Sequence, residues 1–420
     1  MSFIFVTVAL DMLALGVIIP VWPALIKTFT GQNDATASLM LGIMAVVWAV
    51  AQFAAAPVLG VLSDRIGRRP VILFSNIGTA FDYVIMALAP TLSWIFVGRV
   101  LSGITAASIP TASAYIADVT PVEKRAGAYG MIGAAFGLGF VVGPALGGFL
   151  GNVDPRLPFW VAAAMGLANF LYGLFVLPES LRPENRKRSF EIKRANPLGA
   201  LRLLRSHPEL FGIATVAFIG YVAHEVYTVV YVLYGQHRYG WDSRTLGIGL
   251  AIVGISSAVI SALLSQKAVE KFGARMSLIG GLIFGALGFY LFGSASTLMF
   301  WIAIPINALW GIAGSAQQVY MTKRVRNDEQ GELQGALSAM RSIAMIGAPM
   351  AFAGIFAYFI KGGGSGIEFP AAPWYLAALL LVVSTFVAWR VTGNSHDEPT
   401  TEQVVTAFEA QAPAEVPISD

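Results

Sequence analysis

The 420-residue sequence predicts an all-α integral membrane protein with about twelve transmembrane helices, arranged as two pseudo-repeated six-helix halves around a central cavity. Three observations carry this. Apolar residues make up 56% of the chain, only 12% is charged and the mean hydropathy is +0.69. They fall in nearly uncharged blocks of about twenty, long enough to cross a hydrocarbon core of roughly 30 Å as helices. One long polar interruption, near 177–210, divides the blocks six and six. Finally, "LSGITAAS" (101–108) recurs as "LWGIAGSA" (309–316), "DRIGRR" (64–69) as "EKFGAR" (270–275) and "EKRAGAYG" (123–130) as "DEQGELQG" (328–335), at offsets of 208, 206 and 205. Such a repeat places two halves in register.

In order, the expected spans are 3–26, 37–59, 71–90, 93–116, 126–150 and 158–177, then 209–234, 245–266, 275–295, 298–321, 333–359 and 371–391. The first lacks the basic start of a signal peptide, and its apolar stretch exceeds the about 7–15 residues of such a segment. It therefore reads as a retained span. The domain plan is an N-terminal half (1–177), an interdomain loop (178–208), a C-terminal half (209–391) and an acidic, Pro-containing tail (392–420) too polar to bury a core. Trp22, Trp94, Trp160 and Trp374 fall near span ends, where interface belts of aromatic residues explain them.

Lysine and arginine sort to one side. Loops there hold Arg65, Arg68, Arg69, Lys124, Arg125, eight basic residues in 178–208, Lys267, Lys271, Arg275, Lys323, Arg324, Arg326 and Arg390, whereas the other side holds only Lys27, Arg156, Arg238, Arg244 and Lys361. By the positive-inside rule the basic side is cytoplasmic, with both termini there. The absence of cysteine excludes disulfides and thiolate chemistry.

Ionisable groups inside spans are costly and point to function. At about 1.5 Å per helical residue, Asp11 lies roughly 12 Å from the inner end of the first span and Asp82 roughly 16 Å into the third. Arg99 lies roughly 9 Å from the outer end of the fourth, and Arg341 roughly 12 Å into the eleventh. His224 and Glu225 sit past the middle of the seventh. Asp82 and Arg99 read either as a structural ion pair or as a proton carrier tuned by its partner. Asp11 reads as a proton or substrate contact or as a helix-packing hydrogen bond. Of His224 and Glu225, which point to different faces, Glu225 is the one expected to line the cavity. Arg341 either faces the cavity or snorkels to the interface. Gln317 is a further cavity candidate.

"GVLSDRIGRRP" (60–70) packs four charges into six residues, and "GLGFVVGPALGG" (137–148) spaces glycines around a proline. The small residues allow close helix contact in lipid, within the fold or in a dimer, and Pro144 lets the helix bend. With "GRVLSGITAAS" (98–108), these segments resemble the major facilitator superfamily. "LDMLALGVIIPVWPAL" (10–25), "GTAFDYVIMALAP" (78–90) and "RYGW" (238–241) resemble its tetracycline/proton antiporter branch.

That resemblance implies a secondary antiporter that exports an amphipathic drug in exchange for protons by rocking its halves. Gly60, Asp64, Arg65, Gly67, Arg68 and Arg69 would form a cytoplasmic gate, Asp64 meeting a helix N-terminus of the opposite half when the inner side is closed. Gly139, Gly143, Pro144, Gly147 and Gly148 would form the antiporter helix. Asp82, Asp11, Arg99 and Glu225 would couple protons, with His224, Arg341 and Gln317 in the cavity. Two departures matter: the ninth span lacks the acid, and the eighth the histidine, of the tetracycline exporters. The alternatives are a proton-linked transporter of a metabolite such as a sugar or an amino-acid derivative, and a non-transporting receptor. No Walker A segment, His-x-x-x-His spacing or G-x-S-x-G element supports an ATPase or an intramembrane enzyme. No cofactor, metal or nucleic-acid partner is expected, and the chain is expected to be a monomer in the cell (inner) membrane.

Overall fold

A computed structural model describes residues 2–121, 125–186, 208–322, 324–325, 330–362 and 366–393. Most of the interdomain loop, the tail and Lys124, Lys323 and Arg326 lie outside the described residues.

The described chain is helical: α1 (Ser2–Ile18), α2 (Trp22–Phe29), α3 (Asp34–Ile66), α4 (Arg68–Leu88), α5 (Leu92–Thr105), α6 (Ser108–Val119), α7 (Arg125–Val153) and α8 (Leu157–Phe175) precede the polar interruption. After it come α9 (Pro208–His224), α10 (Val226–Tyr239), α11 (Ser243–Val259), α12 (Ser265–Phe292), α13 (Thr297–Ala308), α14 (Gly311–Thr322), α15 (Gln330–Phe359) and α16 (Ala372–Gly393). Ten helical stretches among the described residues are long and apolar enough to cross a membrane, and the bent pair α1–α2 makes eleven. One of the ten, Ser243–Phe292, is 50 residues long and turns at Gly273, where φ is 75°. Divided there, it completes the twelve spans expected.

Gly273 has a counterpart. Gly67, in the first copy of the repeated "DRIGRR"/"EKFGAR" element, has φ 112° and ψ 163°, against 75° and 162° at Gly273. Left-handed φ of this kind disfavours residues with a Cβ, so the sequence repeat reproduces a backbone corner. At Gly67 a Cβ would also strike the Glu179 carboxylate.

Four spans are made of two pieces. The first breaks between α1 and α2, bent by 45°; the fourth at Ala106 and Ala107; the seventh at Glu225; and the tenth at Leu309 and Trp310. These are the first and fourth helices of each half. Interrupted helices at matching positions of two repeats mark the shared site of many transporters.

Within the first half α1 packs on α7 and α8, and α4 on α5 and α8; within the second α12 packs on α13, α14 and α16. The halves meet chiefly through two helix pairs, α3 with α15 and α7 with α11, with α10 also against α3 and α2. Outward positions carry exposed apolar side chains such as Phe81, Val97, Leu287 and Trp389, as lipid contact requires. Phe81 is exposed while its neighbour Asp82 is fully buried, so α4 turns its acid inward.

Candidate functional site

In the first half, Asp82 of α4 meets the Arg99 guanidinium of α5 in a direct ion pair. Gly98 makes room for it, since a Cβ there would come within 2.6 Å of Asp82 Oδ1. Arg99 also lies 5.2 Å from the ring centroid of Trp22 and contacts Met86 Sδ at 3.9 Å. Asp82 Oδ1 and Arg99 Nε keep no hydrogen-bond partner among the described residues. The pair is therefore buried with spare valences, which is costly unless they are used.

Asp11 of α1 accepts hydrogen bonds from Ser108 Oγ and from Asn169 Nδ2, the latter at 2.8 Å. Asn169 is fully buried and also donates to the Thr7 carbonyl at 2.9 Å. Ser108 opens α6 at the break in the fourth span, where Ser75 Oγ accepts from the backbone N–H groups of Ala107 (3.2 Å) and Ser108 (3.0 Å). The break thus aims a hydroxyl at the acid. Ser75, Ser108 and Asn169 escape a reading that tracks only ionisable groups; a lone asparagine inside the apolar α8 is the signal that marks one of them.

The second half is built differently. His224 and Glu225 stand at the break of the seventh span, and Arg341 of α15 lies within electrostatic range of both and of Tyr221. His224 is exposed, whereas Glu225, the residue expected to line the cavity, is only 6% exposed. Rings surround the break. His224 lies 5.8 Å from Tyr227 and 6.1 Å from Trp310, whose own span breaks there. Tyr227 donates to Asn307 Oδ1 at 2.7 Å and packs against Phe289, Phe292 and Trp374. Gln317 is half-buried on α14.

Trp374 is fully buried in this cluster, and Trp22 lies under Arg99 and against Phe159. Neither is an interface-belt residue, because partners inside the bundle hold both. Trp94 and Trp160, 54% and 44% exposed, remain at the surface.

At the end carrying the basic loops, Arg68 donates to Asp64 (2.6 Å), Asp118 (3.0 Å) and Ser63 (2.7 Å). The Glu179 carboxylate accepts the N–H groups of Arg68 (2.8 Å) and Arg69 (3.2 Å), satisfying donors that begin α4. Arg69 in turn reaches the Gly173 and Leu174 carbonyls near the end of α8. Arg65 is exposed and Gly60 opens onto free space. The partners of Arg68 and Arg69 named here belong to the first half. The N-terminus of α4 thus takes the Glu179 carboxylate, and Asp64 binds Arg68 beside it.

The glycine-spaced α7 is clamped on two sides. Gly139 and Gly143 lie against Met12 and Gly16 of α1, and Gly147 against Val17, so that added Cβ atoms would overlap that helix. Gly148 lies against Ser243 and Gly247 of α11, which also abuts the Pro144 carbonyl. Small residues here let one helix touch both halves.

The end away from the basic loops carries a bridge the sequence reading missed. Asp34 Oδ1 lies 2.5 Å from Lys27 Nζ, and Asp34 Oδ2 lies 2.7 Å from His237 Nδ1 of α10, across the two halves. Ser38 Oγ donates to the Ala353 carbonyl at 3.0 Å, and His237 meets the Phe356 ring edge-on. Only three-dimensional proximity pairs these residues, since 203 positions separate Asp34 from His237.

Residues 4–349 match the Major Facilitator Superfamily. The tetracycline resistance protein, class C, of Escherichia coli is 36% identical over 380 residues, 90% of this chain and 93% of that protein. Multidrug resistance protein 2 of Bacillus subtilis (strain 168) is 30% identical over 345 residues, 80% of this chain and 84% of that protein. The crystal structure of the nucleoside transporter NupG superposes with a TM-score of 0.73 over 94% of this chain and 99% of that one, at 14% identity, a likeness of fold. The helical architecture and these matches agree that this multi-pass membrane protein belongs to the Major Facilitator Superfamily.

Proposed function

We propose that the protein exports an amphipathic drug across the inner membrane in exchange for protons, by alternating access. The observation that carries the coupling is the buried Asp82–Arg99 pair with an unfilled carboxylate oxygen, beside an Asp11 held by neutral donors. Tetracycline and multidrug resistance relatives support the drug class. The basic-loop end faces the cytoplasm by the positive-inside rule.

In this reading a proton on Asp82 cancels the charge that holds Arg99, and Arg99 covers the broken first span through Trp22. Protonation is thereby felt at a helix break. The Lys27–Asp34–His237 bridge closes the outer end. A ligand or proton that prefers the state lacking this bridge shifts the population toward outward opening. The drug is a tetracycline-like or other antibiotic, and the ninth-span segment 278–295 lacks the acid that the resemblance to tetracycline exporters implies.

Proteoliposomes with an imposed pH gradient test this, together with a drug-susceptibility panel in cells lacking their own exporters. Drug flux should follow the gradient in the wild type and vanish in Asp82→Asn. Flux indifferent to the gradient would remove the exchanger mechanism.

A further inference from the structure

We infer that Arg341 is the anchor for a negatively charged group of the cargo, so that the substrate class is an aromatic anion. The inference rests on the exporter reading above. Arg341 is exposed on α15, which packs beside α9, α10 and α14. It has no ion pair or hydrogen bond to another described residue. The Arg99 guanidinium, by contrast, is neutralised by Asp82. An arginine within a span is several kcal/mol too costly to face acyl chains, and its neighbours Tyr221, His224 and Glu225 lie at the mid-span break of the seventh helix, away from the interface. Its exposed face is therefore directed at the space between the halves.

The surroundings complete the chemistry. His224, within electrostatic range of Arg341, lies 5.8 Å from the Tyr227 ring and 6.1 Å from that of Trp310. Glu225 lies within electrostatic range of Arg341 but is 6% exposed and forms no ion pair with it, so the guanidinium fork is left for a visitor. A planar carboxylate or sulfonate on an aromatic frame matches a guanidinium fork in reach of a group of tilted rings. The ninth span offers no acid for a cation or a metal chelate.

The test is gradient-driven flux of two permanently charged aromatic probes in proteoliposomes, radiolabelled naphthalene sulfonate and ethidium. The wild type should carry the sulfonate and not ethidium. Arg341→Gln should lower sulfonate flux by at least about tenfold, the loss expected when one partner of a desolvated charge pair is removed. Arg341→Lys should keep part of it, and Arg341→Glu should gain ethidium flux. Membrane abundance, measured for each variant, separates selectivity from misfolding. Sulfonate flux unchanged in Arg341→Gln, or a wild type that carries ethidium alone or neither probe, overturns the assignment. Flux that depends on Arg341 but ignores the pH gradient would instead sink the exchanger and leave the anion site standing.

Discussion

In the first half the membrane charges are held in bonds: Asp82 by Arg99, Asp11 by Ser108 and Asn169. In the second half the equivalent depth is filled by rings, with Tyr227, Phe289, Phe292 and Trp374 packed together and Arg341 without an ion pair or hydrogen bond to another described residue. In the proposed exchanger, the two copies of the fold would serve two jobs. Fixed polar geometry suits a group that must take and release a proton at a defined place, whereas a wall of rings suits an apolar cargo whose shape is less strictly defined.

The largest effect that would break this contrast concerns Asp82. Asp82→Asn should abolish gradient-driven transport with normal membrane abundance, read as flux in proteoliposomes. Asp82→Ala should additionally lower stability by about 3–5 kcal/mol, because Arg99 is left as an uncompensated buried charge; thermal unfolding in detergent checks this. Comparable loss of transport from Glu225→Gln alone would move the coupling to the second half.

Next is the clamp that joins the halves. Gly147→Val should prevent α7 from seating on α1, where even one Cβ overlaps Val17, and should strongly reduce both abundance and flux. Asp34→Asn should act more gently, loosening only the outer bridge. The chain has no cysteine, so a Ser38→Cys, Ala353→Cys pair reports closure directly, and its cross-linking yield should fall several-fold when Asp34 is replaced. An unchanged yield would show that helix packing alone keeps that end shut. Within the ring cluster, Tyr227→Phe should cost about 1 kcal/mol through the lost bond to Asn307, measured by thermal unfolding.

The smallest effect lies at the start of α11. Asp242 caps that helix, accepting from the Thr245 N–H at 2.9 Å, and the Thr245 hydrogen bonds hold its carboxyl below the usual carboxylate range. A group whose value is lowered by folding stabilises the protein above its unfolded value of about 4 and loses that contribution as pH falls through the lowered one. Asp242→Ala should therefore cost about 1 kcal/mol at neutral pH, and the gap from wild type should close in unfolding scans carried to acid.

The apolar blocks revealed the spans because bilayer thickness dictates their length, and the repeat revealed the symmetry down to the shared corner at Gly67 and Gly273. What stayed hidden was pairing. Asn169 and Ser108 carry no charge and so raise no alarm in a hydropathy profile, although they hold Asp11. Asp34 looks like a loop acid until His237 is brought to it by packing. Trp374 sits at a span end like Trp94, and sequence position cannot tell a ring that faces lipid headgroups from one that faces Phe292.

The four two-piece spans bear on how such a molecule moves. A continuous rod transmits a push from one end straight to the other, but a jointed one can swing its upper segment while the lower stays moored. With joints in the first and fourth members of each set, the proposed alternation between states would need only a few dihedral rotations near Ala106, Glu225 and Trp310, leaving the backbone ladders on either side intact.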